Sequence, residues 1–399
     1  MTRRSFPLSY PSILEYLIAI SPRYQVANKA GKSKMLTEAQ LVTRLSRKHL
    51  IKQLNQPLET LKRGKSSGRQ ATYDRKLLEP HLRYLYLQME RISAKRMKVA
   101  LAEWLTYYKD ERCTPQIRLW LTQMSASTLA RLLQEVRGSL AASHGISTTQ
   151  SPARFMKNKV PLNTFDAKIE RPGFFQSDTV AHCGTSAKGP FISSLTLTDI
   201  DSTWTENRAL FTKKGLEVRK TFIDLEQNLP ISLLGVNVDS GSEFLNTPMV
   251  NFMKAQHRQK PIQFTRSRPY RKNDNCYVEQ KNFTHVRELF GYERFDDIVL
   301  VQKMNDIYKT CWNPLQNFFI PTFKLKEKVR VGAQVIKKYD SPLTPYQRLM
   351  QSPHLTLIEK EALKKKKQLL NPFHLKADLE KKLEDFFDCV RKSKSGIGS

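Results

Sequence analysis

The sequence predicts a multidomain chain. It should carry N-terminal all-α helix-turn-helix units, a central α/β segment on a mixed five-stranded sheet, and a small C-terminal β-hairpin followed by helices. Three observations predict this. Up to residue 137 the apolar residues recur at helical spacing, broken by short capped turns. From Gly173 the texture changes to β-rich runs punctuated by Gly, Ser and Asp, and then strands alternate with helices. Charge divides the chain in the same places. Residues 1–150 hold 26 Lys and Arg against 10 Asp and Glu, residues 151–320 hold 23 against 18, and residues 321–399 hold 18 against 9.

The expected boundaries are 1–61 for the first helix-turn-helix region and 62–137 for a second helical region. A linker follows over 138–170, then the α/β core over 171–320 and the basic C-terminal region over 321–399. The net charge of +30 calls for a polyanionic partner, nucleic acid before an anionic membrane. No run of 18 apolar residues exists, so no membrane span is expected. The opening stretch loosely mimics a signal peptide, but Glu15 interrupts its apolar run, and export is not expected. The five cysteines are scattered without zinc spacing, which suits reduced thiols in the cytoplasm.

Residues 33–55 read as two short helices around a turn, with Leu36, Leu41 and Val42 apolar on the first and Ser46 capping the second. On the second, Leu50, Ile51 and Leu54 should face inward, leaving Arg47, Lys48, His49, Lys52 and Gln53 outside. A short helix with such a face suits the major groove of DNA, and Arg47, Lys48 and Lys52 are the expected contacts. "KRGKSSGRQATY" reads as a flexible basic linker whose Arg63, Lys65 and Arg69 can track phosphates. Tyr73 to Asp110 is helical by periodicity, with its aromatics in the core. The stretch "TPQIRLWLTQMSASTLARLLQEVRG" repeats helix, tight turn, helix, with Ser125 as a cap.

In the core, "GFFQSDTVAHCG", "GPFISSLTLTDI" and "STWTENRALF" read as three meandering strands. A helix over "KGLEVRKTFIDLEQNLP", a strand ending at "VDSGSEF", a helix capped by Thr247, a strand "PIQFTRS" and a helix over 276–290 follow. Residues 322–340 suggest a basic hairpin. Residues 355–392 read as two helices, on which Lys364 to Lys367 form a solvated face.

Asp178 and Asp239 fall at strand ends that adjacent strands would bring to one edge, the crevice where such sheets bind ligands. On the 276–290 helix, Glu279, Phe283, Val286 and Phe290 share one face, expected to point inward. A buried carboxylate needs partners. A hard divalent cation held with the two aspartates would supply them. Spacing alone does not separate this set from Asp199, Asp201, Glu206 and Glu243. Arg266, Arg268, Arg271 and Lys272 crowd the loop before the helix and suit a phosphate clamp. Lys281 and Asn282 should lie off the buried face and reach toward DNA. His182, Trp204 and Trp312 read as structural.

The pieces "FFQSDTV", "VNVDSGSEFLN" and "SRPYRKNDNCYVEQKNFTHVRELFGYERF" resemble the catalytic core of retroviral-type integrases and bacterial insertion-sequence transposases, which have the RNase H-like fold. The resemblance covers about residues 170–320. The family's Asp, Asp, Glu signature falls on Asp178, Asp239 and Glu279, which it implies are both catalytic residues and ligands of two Mg²⁺ or Mn²⁺ ions. It implies hydrolysis of a phosphodiester at the ends of a mobile element, then transfer of the freed 3′-hydroxyl into target DNA. It further implies a homo-oligomer on DNA, acting at the bacterial nucleoid. Retroviral integrases carry a His-His-Cys-Cys zinc module before the core; none is found here, which points to the bacterial branch. The alternative is a catalytically inactive DNA-binding relic or regulator of a mobile element.

Overall fold

A computed structural model describes residues 9–57, 72–138, 169–239, 241–254, 261–267, 276–331 and 334–395. The chain divides into two units, Met1–Asp74 and Arg75–Ser399.

In the first unit, α1 (Tyr10–Val26), α2 (Lys29–Thr43) and α3 (Arg47–Leu54) pack around Ile13, Leu17, Tyr24, Leu36, Ala39, Leu50 and Leu54. Ser9, Asn28 and Ser46 cap the three helices through their side chains, each satisfying a backbone N–H left open by the first turn. Arg44 adopts a left-handed conformation at φ 54° and turns the chain from α2 into α3. Two expected core positions move outside: Leu41 is 77% exposed and Ile51 38%. Leu36, Ala39 and Thr43, spaced three and four apart, form the buried stripe of α2 instead.

The second unit opens with α4 (Arg75–Gln88), α5 (Ala94–Tyr107), α6 (Pro115–Gln123) and α7 (Ala126–Gly138). The tight turn between α6 and α7 lies where expected, and Ser125 accepts from the Thr128 N–H. Trp104 is fully buried, and its indole donates to the Phe319 carbonyl, which ties these helices to the end of the α/β segment.

The sheet contains β1 (Phe174–Ala181), β2 (Ser193–Asp199), β3 (Thr205–Leu210), β4 (Gly235–Val238) and β5 (Gln263–Arg266) in the order β3-β2-β1-β4-β5. β1, β2 and β3 meander antiparallel, and β4 and β5 join parallel to β1. This is the mixed five-stranded sheet expected from the sequence, with helices beside it. α8 (Gly215–Asn228) and α9 (Thr247–Met253) make the crossovers. Asn246 rather than Thr247 caps α9: its side chain accepts from Met249 N–H, and Thr247 is already the first helical residue.

α10 begins at Cys276–Lys281, widens into a π-helical turn over Asn282–Arg287 and closes as an α-turn over Glu288–Phe290. α11 (Val299–Asp306) also widens, over Ile307–Trp312, before α12 (Asn313–Phe319). The basic hairpin is present as β6 (Leu325–Val331) and β7 (Gln334–Tyr339). α13 (Pro345–Gln351), α14 (Leu357–Gln368) and α15 (Pro372–Ser395) complete the chain, the first two opened by capping boxes. Lys364, Lys365 and Lys366 are exposed. Lys367 instead pairs with Glu103 at 2.6 Å.

Candidate active site

Strand register brings the two aspartates together. Ser177 is the partner of Val238 in the parallel β1–β4 pair, so the next step along each strand is Asp178 and Asp239. Asp178 Oδ1 accepts from the Thr179 N–H at 2.7 Å, and its Oδ2 accepts from Asn282 Nδ2 at 2.7 Å. Asp239 Oδ1 accepts from the Gly241 N–H at 2.9 Å. A Cβ at Gly241 would stand 2.8 Å from Asp239 Oδ1 and closer still to Glu243, so a side chain there would have to displace both carboxylates.

Burial, and then the charge of Asp239, push Asp178 up to about 7. Burial, and then Glu243, also raise Asp239. Lys213 opposes both shifts, but its ammonium pairs with Glu243 at 3.3 Å rather than with either aspartate. Thr179 Oγ1 also donates to Glu243.

The competing acids are occupied structurally. Asp199 is buried and accepts from Gly173 N, Ser202 N and Ser202 Oγ. Asp201 pairs with Lys324 at 2.5 Å. Glu206 holds Arg208, the Trp204 indole and the Asn313 amide. Asp178 and Asp239 are left with few donors and a like-charged neighbour. That donor set, hard oxygens without an ion-pair partner, fits a divalent cation. Asn282 adds a buried Oδ1 with no hydrogen-bond partner.

Glu279 does not complete the group. It is exposed in the first turn of α10, and among the described residues no three His, Cys, Asp or Glu stand together as a metal site. The inward stripe expected through Glu279 and Phe283 is therefore corrected: Phe283 is 52% exposed, and Val278, His285, Val286, Leu289 and Phe290 are buried. The N-terminus of α10 is anchored by Gln176, whose Oε1 accepts from Tyr277 N and Val278 N. That anchor sets Val278 inward, and a four-residue step puts Asn282 over Asp178. The π-turn then adds a residue to the helical repeat, so the stripe continues through His285 and Val286 instead of stepping outward.

With a rotation of about 100° per residue, Glu279 stands about 60° to one side of Asn282 and Lys281 about 100° to the other. The Lys281 side carries His285, which meets Asn207 of β3. The expectation that Lys281 and Asn282 lie off the buried face is also corrected. Asn282 is spent on Asp178, and Lys281 turns inward, its Nζ 3.2 Å from His285 Nε2.

Among the other expected contacts, Lys48 and Lys52 are exposed on α3. Arg47 is not free: its guanidinium donates to Ser33 Oγ, Thr37 Oγ1 and Gln40 Oε1, stapling α3 to α2. Arg266 ends β5, half-buried. Arg63, Lys65, Arg69, Arg268, Arg271 and Lys272 lie outside the described residues. Sequence reasoning underrated Glu243 and missed Lys213. The signal for Glu243 was its place four residues beyond Asp239 in a glycine turn; Lys213 carried none.

Fold and site together define an α/β segment with two neighbouring aspartates, Asp178 inside β1 and Asp239 just past the end of the adjacent parallel β4. The chain is 33% identical over 354 residues to the uncharacterized protein y4rM of Sinorhizobium fredii (strain NBRC 101917 / NGR234), spanning 87% of this chain and 97% of that protein. It belongs to the same family as that protein. No family model matches the chain. Among solved structures, the catalytic core domain of BIV integrase is similar at 18% identity and a TM-score of 0.22. That match covers 28% of this chain and 64% of the integrase chain. Among the described residues no helix is long and apolar enough to cross a membrane.

Proposed function

We propose that this chain is a metal-dependent DNA strand-transferring enzyme of the transposase and integrase type, acting on the ends of a mobile element and on target DNA. One observation carries the reading: Asp178 and Asp239 are neighbours across β1 and β4, the charge of Asp239 bears on Asp178, and among the described residues neither forms an ion pair. The three sequence motifs and the charge of +30 support it.

Mg²⁺ or Mn²⁺ bound at Asp178 and Asp239 would supply charge neutralisation at phosphorus and a lowered proton affinity for the attacking oxygen. The chain's own residues supply the rest. Asn282 fixes the Asp178 carboxylate by donating to one of its oxygens. Thr179 and Lys213 hold Glu243 beside the pair without competing for the aspartates. Glu279, exposed in the first turn of α10, is the third carboxylate, brought in by rotation of its side chain. Lys48 and Lys52 bind phosphates from α3, and multimers pair two DNA ends.

A labelled duplex bearing the element's end, incubated with the protein and Mg²⁺, should be cleaved and joined to a second duplex. Asp239→Asn should abolish joining while DNA binding persists; joining that survives this change removes the assignment. One observation favours a second reading, a DNA-binding relic or regulator: the exposed Glu279 leaves the acid group incomplete. Binding without joining by the intact protein, on its own end sequence, would select it.

A further inference from the structure

On the face of α10 away from the aspartates lies a cavity of about 430 Å³, enclosed by α5, α10, α12 and the basic hairpin. Arg96, Lys281, His285, Trp312, Thr198 and Thr284 line it. Its hydrogen-bonding balance is one-sided. His285 Nδ1 lies 3.3 Å from Asn207 Oδ1, while the Asn207 amide nitrogen donates to Thr196. That chain assigns the imidazole proton to Nδ1 and leaves Nε2 to accept from Lys281. The Lys281 ammonium thus has one neutral partner and N–H groups to spare. The Trp312 indole N–H is buried without a partner. Arg96 spends its Nε on the Pro321 carbonyl.

Two carboxylates, Glu90 and Glu288, also line the cavity. Glu90 pairs with Lys376 at 2.5 Å. Glu288 is exposed and lies in the field of Arg91 and Arg96. Arg348, nearby, is neutralised by Asp340.

A cavity whose cations Arg96, Lys281 and Lys337 outnumber its carboxylates Glu90 and Glu288, and in which Lys281 and the Trp312 indole have N–H groups to spare, suits a ligand that accepts and carries negative charge. We propose that this cavity is a binding site for a phosphate group, held by Lys281, Arg96 and the Trp312 indole. The phosphate comes either from a free phosphate compound or from a DNA backbone. The proposal does not depend on strand transfer.

The test is the melting temperature of the full chain in chloride buffer, titrated with inorganic pyrophosphate and separately with a duplex oligonucleotide. Pyrophosphate should raise the melting temperature of the natural protein. Lys281→Met should melt higher than the natural protein without ligand, because an unpaired buried cation is gone, and should lose the response. Lys365→Met, an exposed control, should keep it. Trp312→Phe keeps charge and packing, and should raise the midpoint of the titration about tenfold; it also serves if Lys281→Met does not fold. A Lys281-dependent response to the duplex alone assigns the phosphate to the DNA backbone, and one to pyrophosphate assigns it to a free compound. A response equal in the natural protein and Lys281→Met, or none with either probe, overturns the proposal. Asp239→Asn should respond normally, so failure of strand joining and failure of this site are separately visible.

Discussion

The sheet holds two kinds of acid, and they differ in how their charge is satisfied. At the β2–β3 end, Asp199 accepts three hydrogen bonds from its own turn, and Glu206 sits in a network with Arg208, Trp204 and Asn313. At the β1–β4 end, Asp178 and Asp239 have one backbone donor each, Asp178 has the Asn282 amide besides, and the charge of Asp239 bears on Asp178. The first pattern makes a fold rigid. The second leaves charge that something else must complete, as functional sites do. Burial alone does not separate them, because it raises both Asp178 and Asp199. The number and kind of donors does.

The largest effect should come from breaking the second pattern. Glu279→Gln should reduce strand joining by about three orders of magnitude, several kcal/mol of transition-state stabilisation, with DNA binding and melting unchanged. A gel assay of joining reads this, and an unchanged rate would place Glu279 outside the reaction. Breaking the first pattern should act on stability instead. Asp199→Ala strands three buried donors and should cost about 2–4 kcal/mol in urea unfolding. A cost under about 0.5 kcal/mol would show that the turn from Asp199 to Ser202 does not need it.

The pH dependence sharpens the contrast. The Asp178 carboxyl titrates higher in the folded chain, about 7, than its ordinary value of 3.8. Between these values the unfolded chain has lost the proton and the folded chain has kept it. Stability in metal-free buffer therefore falls as pH rises from about 4 to about 7. Asp178→Asn should flatten that fall, measured by urea unfolding with a chelator present. An unaltered slope would mean that Asp178 does not carry it. The smallest effect is expected at Glu243→Gln, which keeps the shape and can still accept from Thr179. It should lower stability by no more than about 1 kcal/mol and joining by less than about tenfold.

Much of this site was legible in the chain. The alternation of "FFQSDTV" and "VNVDSGSEF" places Asp178 and Asp239 on strands, and the glycine and serine after Asp239 announce a tight turn; Asp178, expected at a strand end, falls instead inside β1, which runs on to Ala181. The helix over 276–290 was equally clear from its ends. Its rotation was not. An ideal repeat through Glu279, Phe283, Val286 and Phe290 gives one inward stripe. The contact of Gln176 with the first turn and the π-turn at Asn282 put the buried face elsewhere. Neither is a local property: one depends on a residue 101 positions away in sequence, and the other on packing that favours an extra residue per turn.

The sequence by itself determined the order of the sheet strands and their crossover helices, the caps Ser46 and Ser125, and the candidate acids, because hydrophobic period and turn chemistry are written in neighbouring residues. Only the tertiary structure decided which acids are satisfied, which face of α10 meets the sheet, and that Lys281 points into a cavity with Arg96. Those facts follow from donors and charges contributed by distant parts of the chain, and no local pattern encodes them.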